Sequence, residues 1–182
     1  MASSIKLHNL VARKGLIELK NGVPPENPVS AVPFLDEQNI RDRILTPEEF
    51  ERMLNAAPEY LKPILLCAYR TVMRRGEILN LTWDRVDLKS GFIRLKESDT
   101  KTGEARSIPL GRELVEVLQR LPKAIHPEGK PLPNVFTRHG QPIKSIREVF
   151  TRVCRDADLP KFVFHDFRHT ATTNLSGRGS MP

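Results

Sequence analysis

The sequence predicts an α+β chain, mainly α-helical, with a small antiparallel β-sheet set between helices. Three observations predict it. Apolar residues recur at helical spacing in most of the chain, most cleanly over 144–157, where Ile146, Val149, Phe150, Val153, Cys154 and Ala157 share one face. After Trp83 the period changes to alternation, in Phe92-Ile93-Arg94-Leu95 and again in Ala105-Arg106-Ser107-Ile108. Between those two stretches Thr100 to Gly103 supplies a turn, with Gly103 free to take positive φ.

The elements follow in order. Residues 4–17 read as a helix with Leu7, Leu10 and Val11 on one face. Asn21-Gly22-Val23-Pro24-Pro25 then breaks regular structure, and residues 21 to 45 read as a linker. Thr46-Pro47-Glu48-Glu49 is a helix start: Thr46 caps, Pro47 takes the first helical position and Glu49 reaches back. Phe50, Met53 and Leu54 form the stripe of that helix. A second helix is expected from Pro58, with Leu61, Ile64, Leu65 and Ala68 inward, and a short third one carries Glu77, Ile78, Leu79 and Leu81. Beyond the sheet, 112–121 returns to helix with Leu114, Val117, Leu118 and Leu121 at helical spacing. Asn134 to Thr137 is expected as a short strand, 144–157 as a helix, and a last helix should run from His165 to Leu175.

The chain has 182 residues, 29 Lys and Arg against 22 Asp and Glu, and a net charge of +7. That length fits one ordinary domain, or one domain with a fragment attached. The basic excess favours a polyanionic partner. No apolar run is long enough to span a bilayer, and the start lacks the apolar core of a signal peptide, so a cytoplasmic location is expected. Cys67 and Cys154 fall on apolar helical positions and read as buried free thiols. An RNA-binding reading lacks stacking motifs, since aromatics make up 6% of the chain and fall mostly in apolar stripes.

Four side chains in three separated segments have the chemistry to act on a phosphodiester without a metal. Charge that grows on non-bridging oxygens calls for fixed cations, and the planar fork of Arg suits phosphate. A leaving oxygen needs a general acid such as Lys or His. Arg74, in Met73-Arg74-Arg75-Gly76-Glu77, follows an apolar helix directly, and Glu77 is one turn away, in reach to hold it. Lys101 sits at the expected β-turn, where a solvated Lys is also commonplace. His165 and Arg168 lie three apart at a helix start, on one face with His169 beside them, and helix N-termini favour phosphate. His165 and His169 also have the i, i+4 spacing of zinc ligands, but Arg168 between them opposes a cation and no third ligand is evident.

In order, Leu45-Thr46-Pro47-Glu48-Glu49-Phe50, then Arg74-x-x-Glu77-Ile78-Leu79-x-Leu81-x-Trp83-x-x-Val86-Asp87, then Thr100-Lys101-Thr102-Gly103 with Ile108-Pro109-Leu110, then His165-x-x-Arg168-His169-Thr170, resemble the catalytic domain of the tyrosine recombinase (phage integrase) family. The resemblance implies that Arg74 and Arg168 clamp the scissile phosphate, that Lys101 is the general acid and that His165 assists proton transfer, with Glu77 and His169 in support. It implies breaking and rejoining of double-stranded DNA through a 3′-phosphotyrosine, with no metal or other cofactor, in a synapsed tetramer associated with the nucleoid. It also divides the chain: 1–28 as a remnant of the core-binding domain, 29–45 as linker, 46–175 as the integrase-like catalytic domain and 176–182 as an irregular tail.

Two departures bear on activity. The family places a further His or Trp and then its nucleophilic Tyr a few tens of residues beyond the second Arg, whereas here fourteen residues follow Arg168 and the tyrosines of the sequence are Tyr60 and Tyr69. Both read as ordinary helix residues ahead of Arg74. The expectation is therefore a recombinase catalytic domain without its nucleophile, inactive alone and prone to self-association through an uncovered apolar face. Val72 also stands where the family usually has Gly. The rival expectation is a non-catalytic DNA-binding remnant of a mobile element that competes with or modulates a complete integrase.

Overall fold

Helix α1 (Pro47–Ala56) begins where Thr46 and Pro47 dictate. In the computed structural model, which describes residues 43–100, 103–126 and 129–177, the Thr46 hydroxyl accepts from the Glu49 amide at 3.2 Å and the Glu49 carboxylate accepts from the Thr46 amide at 3.1 Å. This reciprocal box satisfies two donors that the first turn leaves open. Phe50 and Met53 are buried, as expected, and Leu54 is partly so.

Helix α2 (Lys62–Arg70) starts later than Pro58. Pro58 to Leu61 form a turn instead, closed by the Leu61 amide donating to the Pro58 carbonyl. Pro63 then fixes φ in the first helical turn, where its missing N–H costs nothing. Tyr60 consequently precedes the helix rather than lying on it. From Pro63 to Tyr69 every residue of α2 is buried, so this helix is the centre of the core. A short helix α3 (Arg75–Leu79) follows, and Leu81 lies beyond its end but stays buried.

The expected sheet is present with one strand more. β1 (Val86–Asp87), β2 (Phe92–Leu95) and β3 (Arg106–Pro109) are antiparallel in that order. Two residues are too few for β1 to show a pattern in the sequence. Register pairs Val86 with Ile93, Ile93 with Ile108 and Leu95 with Arg106, which sets Ile93, Leu95 and Ile108 toward the core. Gly103 takes φ +69°, the left-handed value expected of it.

Helix α4 (Arg112–Arg120) buries Leu114 and Leu118, with Val117 and Leu121 packed at the edge. The strand expected over Asn134 to Thr137 is displaced. Asn134 makes only an isolated bridge to Thr82, and the pairing is β4 (Thr137–Arg138) with β5 (Gln141–Pro142). His139 and Gly140 both have positive φ, the conformation of a two-residue hairpin turn, and this turn fixes the register downstream of Asn134. Helix α5 (Arg147–Asp156) begins three residues inside the expected 144–157, and α6 (Asp166–Ser176) matches the expected last helix to one residue.

Phe150, Phe162, Phe164 and Phe167 form a cluster with centroids 5.1 to 6.3 Å apart. Phe50 meets Phe167 edge-on at 6.2 Å and stacks on Tyr69 at 3.9 Å, so aromatic contacts join α1, α2, α5 and α6. Cys67 and Cys154 are buried free thiols, as expected. Burial pushes the Cys67 thiol up to about 12, and burial with the nearby Asp166 carboxylate pushes Cys154 up to about 11. Among the described residues no helix is long and apolar enough to cross a membrane. The helix expected over 4–17, the linker up to residue 42 and the tail from residue 178 lie outside the described residues. Leu45, at the end of the expected linker, is buried and its amide donates to the Thr170 hydroxyl at 3.0 Å.

Candidate functional site

The segment after α2 delivers Arg74. Thr71 is extended and its hydroxyl donates back to the Cys67 carbonyl at 2.6 Å, and Met73 is buried. With Thr71 and Met73 held, Arg74 falls at the N-cap of α3 in extended conformation. Glu77 lies one turn on and holds it twice. One carboxylate oxygen accepts from the Arg74 amide at 2.7 Å and the other from Arg74 Nη1 at 3.1 Å. The Glu77 side chain is 4% exposed against 30% for Arg74, so the pair joins a buried anion to a cation with an open edge. The expectation that Glu77 holds Arg74 is met in the geometry.

A second cation reaches the same carboxylate. Arg106, the first residue of β3, places Nη2 2.6 Å from the Glu77 oxygen that already accepts the Arg74 amide. Sequence reading passed over Arg106, although a signal was present. Alternation along β3 gives it the same parity as the buried Ile108, and a charged residue on the core-facing parity of a strand requires a partner there.

Helix α6 delivers the third guanidinium. Its first turn is fixed by buried polar groups: the Asp166 carboxylate accepts from the Val163 amide at 2.8 Å, and Thr170 donates to the Asp166 carbonyl at 3.0 Å. Phe167 is locked in the aromatic cluster. Arg168, next in sequence, is within electrostatic range of Arg74, Arg106 and Glu77. Burial first, then the Arg74 and Arg106 charges, pull its guanidinium below the ordinary arginine value, while Glu77 opposes them. It remains a cation at any ordinary pH. Its Nη1 is buried without a hydrogen-bond acceptor among the described residues. Two guanidiniums therefore bind one carboxylate, with a third within electrostatic range of it.

His165 occupies the N-cap of α6 and, like His169, is exposed; their rings meet edge-to-face at 5.5 Å. Lys101 lies outside the described residues, but the ends of its turn are anchored. The buried Thr100 hydroxyl accepts from the Glu104 amide at 3.0 Å, and the Asp99 carboxylate takes Arg85 Nε at 2.6 Å. Neither tyrosine belongs to the arginine cluster. Tyr69 is buried against Phe50, and Arg138 lies over the Tyr60 ring at 4.6 Å.

Known proteins resemble this chain in sequence and in fold. Residues 43–181 match the phage integrase family. The chain is 35% identical over 158 residues to a shufflon-specific DNA recombinase of Escherichia coli, covering 85% of this chain and 38% of that protein. It is 27% identical over 155 residues to the integrase of Salmonella phage P22, covering 79% of this chain and again 38% of the relative. The chain thus spans well under half the length of these curated relatives. Its fold is that of the Tn1549 transposon integrase, solved in complex with transposon right-end DNA. The TM-score is 0.64 at 23% identity, over 81% of this chain and 57% of that one.

Proposed function

The chain belongs to the phage integrase family, and we propose that it carries the phosphate-binding part of a catalytic domain that breaks and rejoins double-stranded DNA at specific sites. The observation that carries this reading is the buried, acceptor-free Nη1 of Arg168, set in a cluster of three guanidiniums and one carboxylate. A buried guanidinium nitrogen without a partner is costly in a protein alone, and an anion supplies the missing acceptor. A phosphodiester has the charge and the paired oxygens for it.

In this reading Arg74 and Arg168 bind the two non-bridging oxygens of the scissile phosphate. A tyrosine hydroxyl attacks phosphorus and gives its proton to a neighbouring water, the bond to the 5′ oxygen breaks, and Lys101 gives that oxygen a proton. The products are a 3′-phosphotyrosine and a free 5′-hydroxyl. Rejoining is the reverse, with a 5′-hydroxyl attacking and Lys101 taking its proton. His165, at the positive end of the α6 dipole, adds a donor to the phosphate and assists the transfer. His169 supports His165 across the edge-to-face contact. The guanidiniums meet the developing charge, and neither a metal nor a nucleotide takes part. Neither Tyr60 nor Tyr69 lies in the arginine cluster, and in this reading neither is the nucleophile. Strand exchange takes place in a synapsed assembly of such domains on nucleoid DNA.

The test uses a nicked duplex and this chain supplemented with a Tyr-bearing segment of a related integrase. A covalent protein–DNA adduct is expected only with the supplement. Arg168→Ala is expected to lower adduct yield roughly 100-fold or more, the usual loss for one transition-state donor. DNA binding with no adduct under any supplement would instead favour a DNA-binding protein without chemistry.

A further inference from the structure

Arg106 has no role in the proposed chemistry, yet it makes the shortest contact at the site. Glu77 has two oxygens and three donors: the Arg74 amide at 2.7 Å, Arg74 Nη1 at 3.1 Å and Arg106 Nη2 at 2.6 Å. Its side chain is buried, so it cannot turn to water. We infer that Arg106 is a positioning residue of this site, which occupies Glu77 and so keeps the carboxylate from capturing Arg168. The inference rests on the phosphate reading above and deepens it.

The argument is one of competition. Arg168 has a buried nitrogen with no acceptor, and Glu77 is the carboxylate whose charge it feels. A carboxylate relieved of Arg106 would have a free lone pair within electrostatic range of the Arg168 guanidinium. Capture would follow, because a charge-assisted pair in a buried setting is strong and the orphaned donor is costly. The captured Arg168 could no longer offer its fork to a phosphate. Arg106 also raises the charge of the cluster from +1 to +2, counting three guanidiniums and one carboxylate against two and one. Its place on β3 makes the arrangement rigid. Arg106 is held in register opposite Leu95, and the strand is fixed to the core by Ile108. The ion pair thereby ties the base of the hairpin to α3.

Lysine cannot replace it fully, since a point charge lacks the planar fork with which Arg106 meets the Glu77 oxygen. A residue that merely anchored the hairpin would affect folding but would not be repaired by removing the carboxylate. That difference provides the test.

Binding of the full chain to a 30-base-pair duplex of arbitrary sequence is measured at several salt concentrations, together with the side-chain Nε NMR signals of Arg74 and Arg168 during titration with inorganic phosphate. Thermal melts establish that each variant is folded. Arg106→Gln is expected to weaken DNA binding about tenfold, the scale of one charge-assisted hydrogen bond, and to abolish the phosphate response of the Arg168 signal. The double variant Arg106→Gln with Glu77→Gln is expected to regain at least half of the lost affinity on a logarithmic scale, because the competing charge is gone. Arg106→Lys, the milder change, is expected to lose about threefold and to show the same recovery. Unchanged binding and an unchanged Arg168 signal in Arg106→Gln or Arg106→Lys would overturn the inference alone. So would a loss that Glu77→Gln fails to recover, which would mark Arg106 as touching the phosphate directly. Wild-type protein that binds neither duplex nor phosphate would overturn the phosphate reading and this inference with it.

Discussion

Two ion clusters flank the loop between β2 and β3, and their stoichiometries are opposite. On the strand β2 side, Arg85 is bound by two carboxylates, Asp84 and Asp99, the latter at 2.6 Å. On the strand β3 side, Glu77 is bound by Arg74 and Arg106, and Arg168 stands close by with an unpartnered nitrogen. The first cluster is complete in itself, its cation more than matched by anions. The second has an excess of cation that the described residues do not satisfy. A cluster that closes on itself holds the loop in place, whereas one left open by its own chain is arranged for a ligand of the opposite charge. The two lie a few residues from the same segment, so the chain holds Asp99 and Thr100 on one side of it and sets the proposed phosphate site on the other.

The largest effect is expected from breaking the open cluster at its anion. Glu77→Ala leaves Arg74 and Arg106 without their buried partner and should destabilise the fold by about 3 kcal/mol, read by urea denaturation. A loss below about 1 kcal/mol would mean that solvent screens the pair and that the cluster resembles the Arg85 site after all.

Arg168 should respond in the opposite direction. Arg168→Met removes a cation with no partner and keeps the apolar stem, so stability should hold or rise by up to about 1 kcal/mol while DNA binding falls. A variant that melts well below wild type would identify Arg168 as a packing residue and remove the main distinction between the clusters.

The smallest effect belongs to the closed cluster and appears in the pH dependence. Hydrogen bonding from Arg85, reinforced by the Lys96 amide, holds the Asp99 carboxyl down to about 2. A carboxyl depressed on folding adds stability above its unfolded value near 4, and that stability is lost as pH falls from about 4 to about 2. Asp99→Asn should therefore flatten part of the acid limb of a stability–pH curve and leave the curve above pH 5 parallel to wild type. An acid limb of unchanged slope would show that Arg85 and Asp99 do not hold the loop.

Much of this molecule is readable without coordinates. The Thr46–Glu49 box, the stripes of α1, α4 and α5, the alternation of β2 and β3 and the left-handed Gly103 are local, and local rules dictate them. So is the Arg74–Glu77 pair, because three residues is one helical turn. The errors fell at element boundaries, where a neighbouring turn or proline decides. Pro63 and the turn at Leu61 delay α2, and the His139–Gly140 turn moves β4 past Asn134.

The sequence by itself determined which residues could meet a phosphate and which helices would carry them, since residue chemistry and periodicity are properties of the chain. Only the tertiary structure decided that Arg106 shares Glu77 with Arg74, and that Arg168 is left without an acceptor beside them. That pairing joins positions 29 residues apart on a strand and a helix. Sequence spacing cannot express such a meeting, because it depends on strand register and on how the sheet packs against α3.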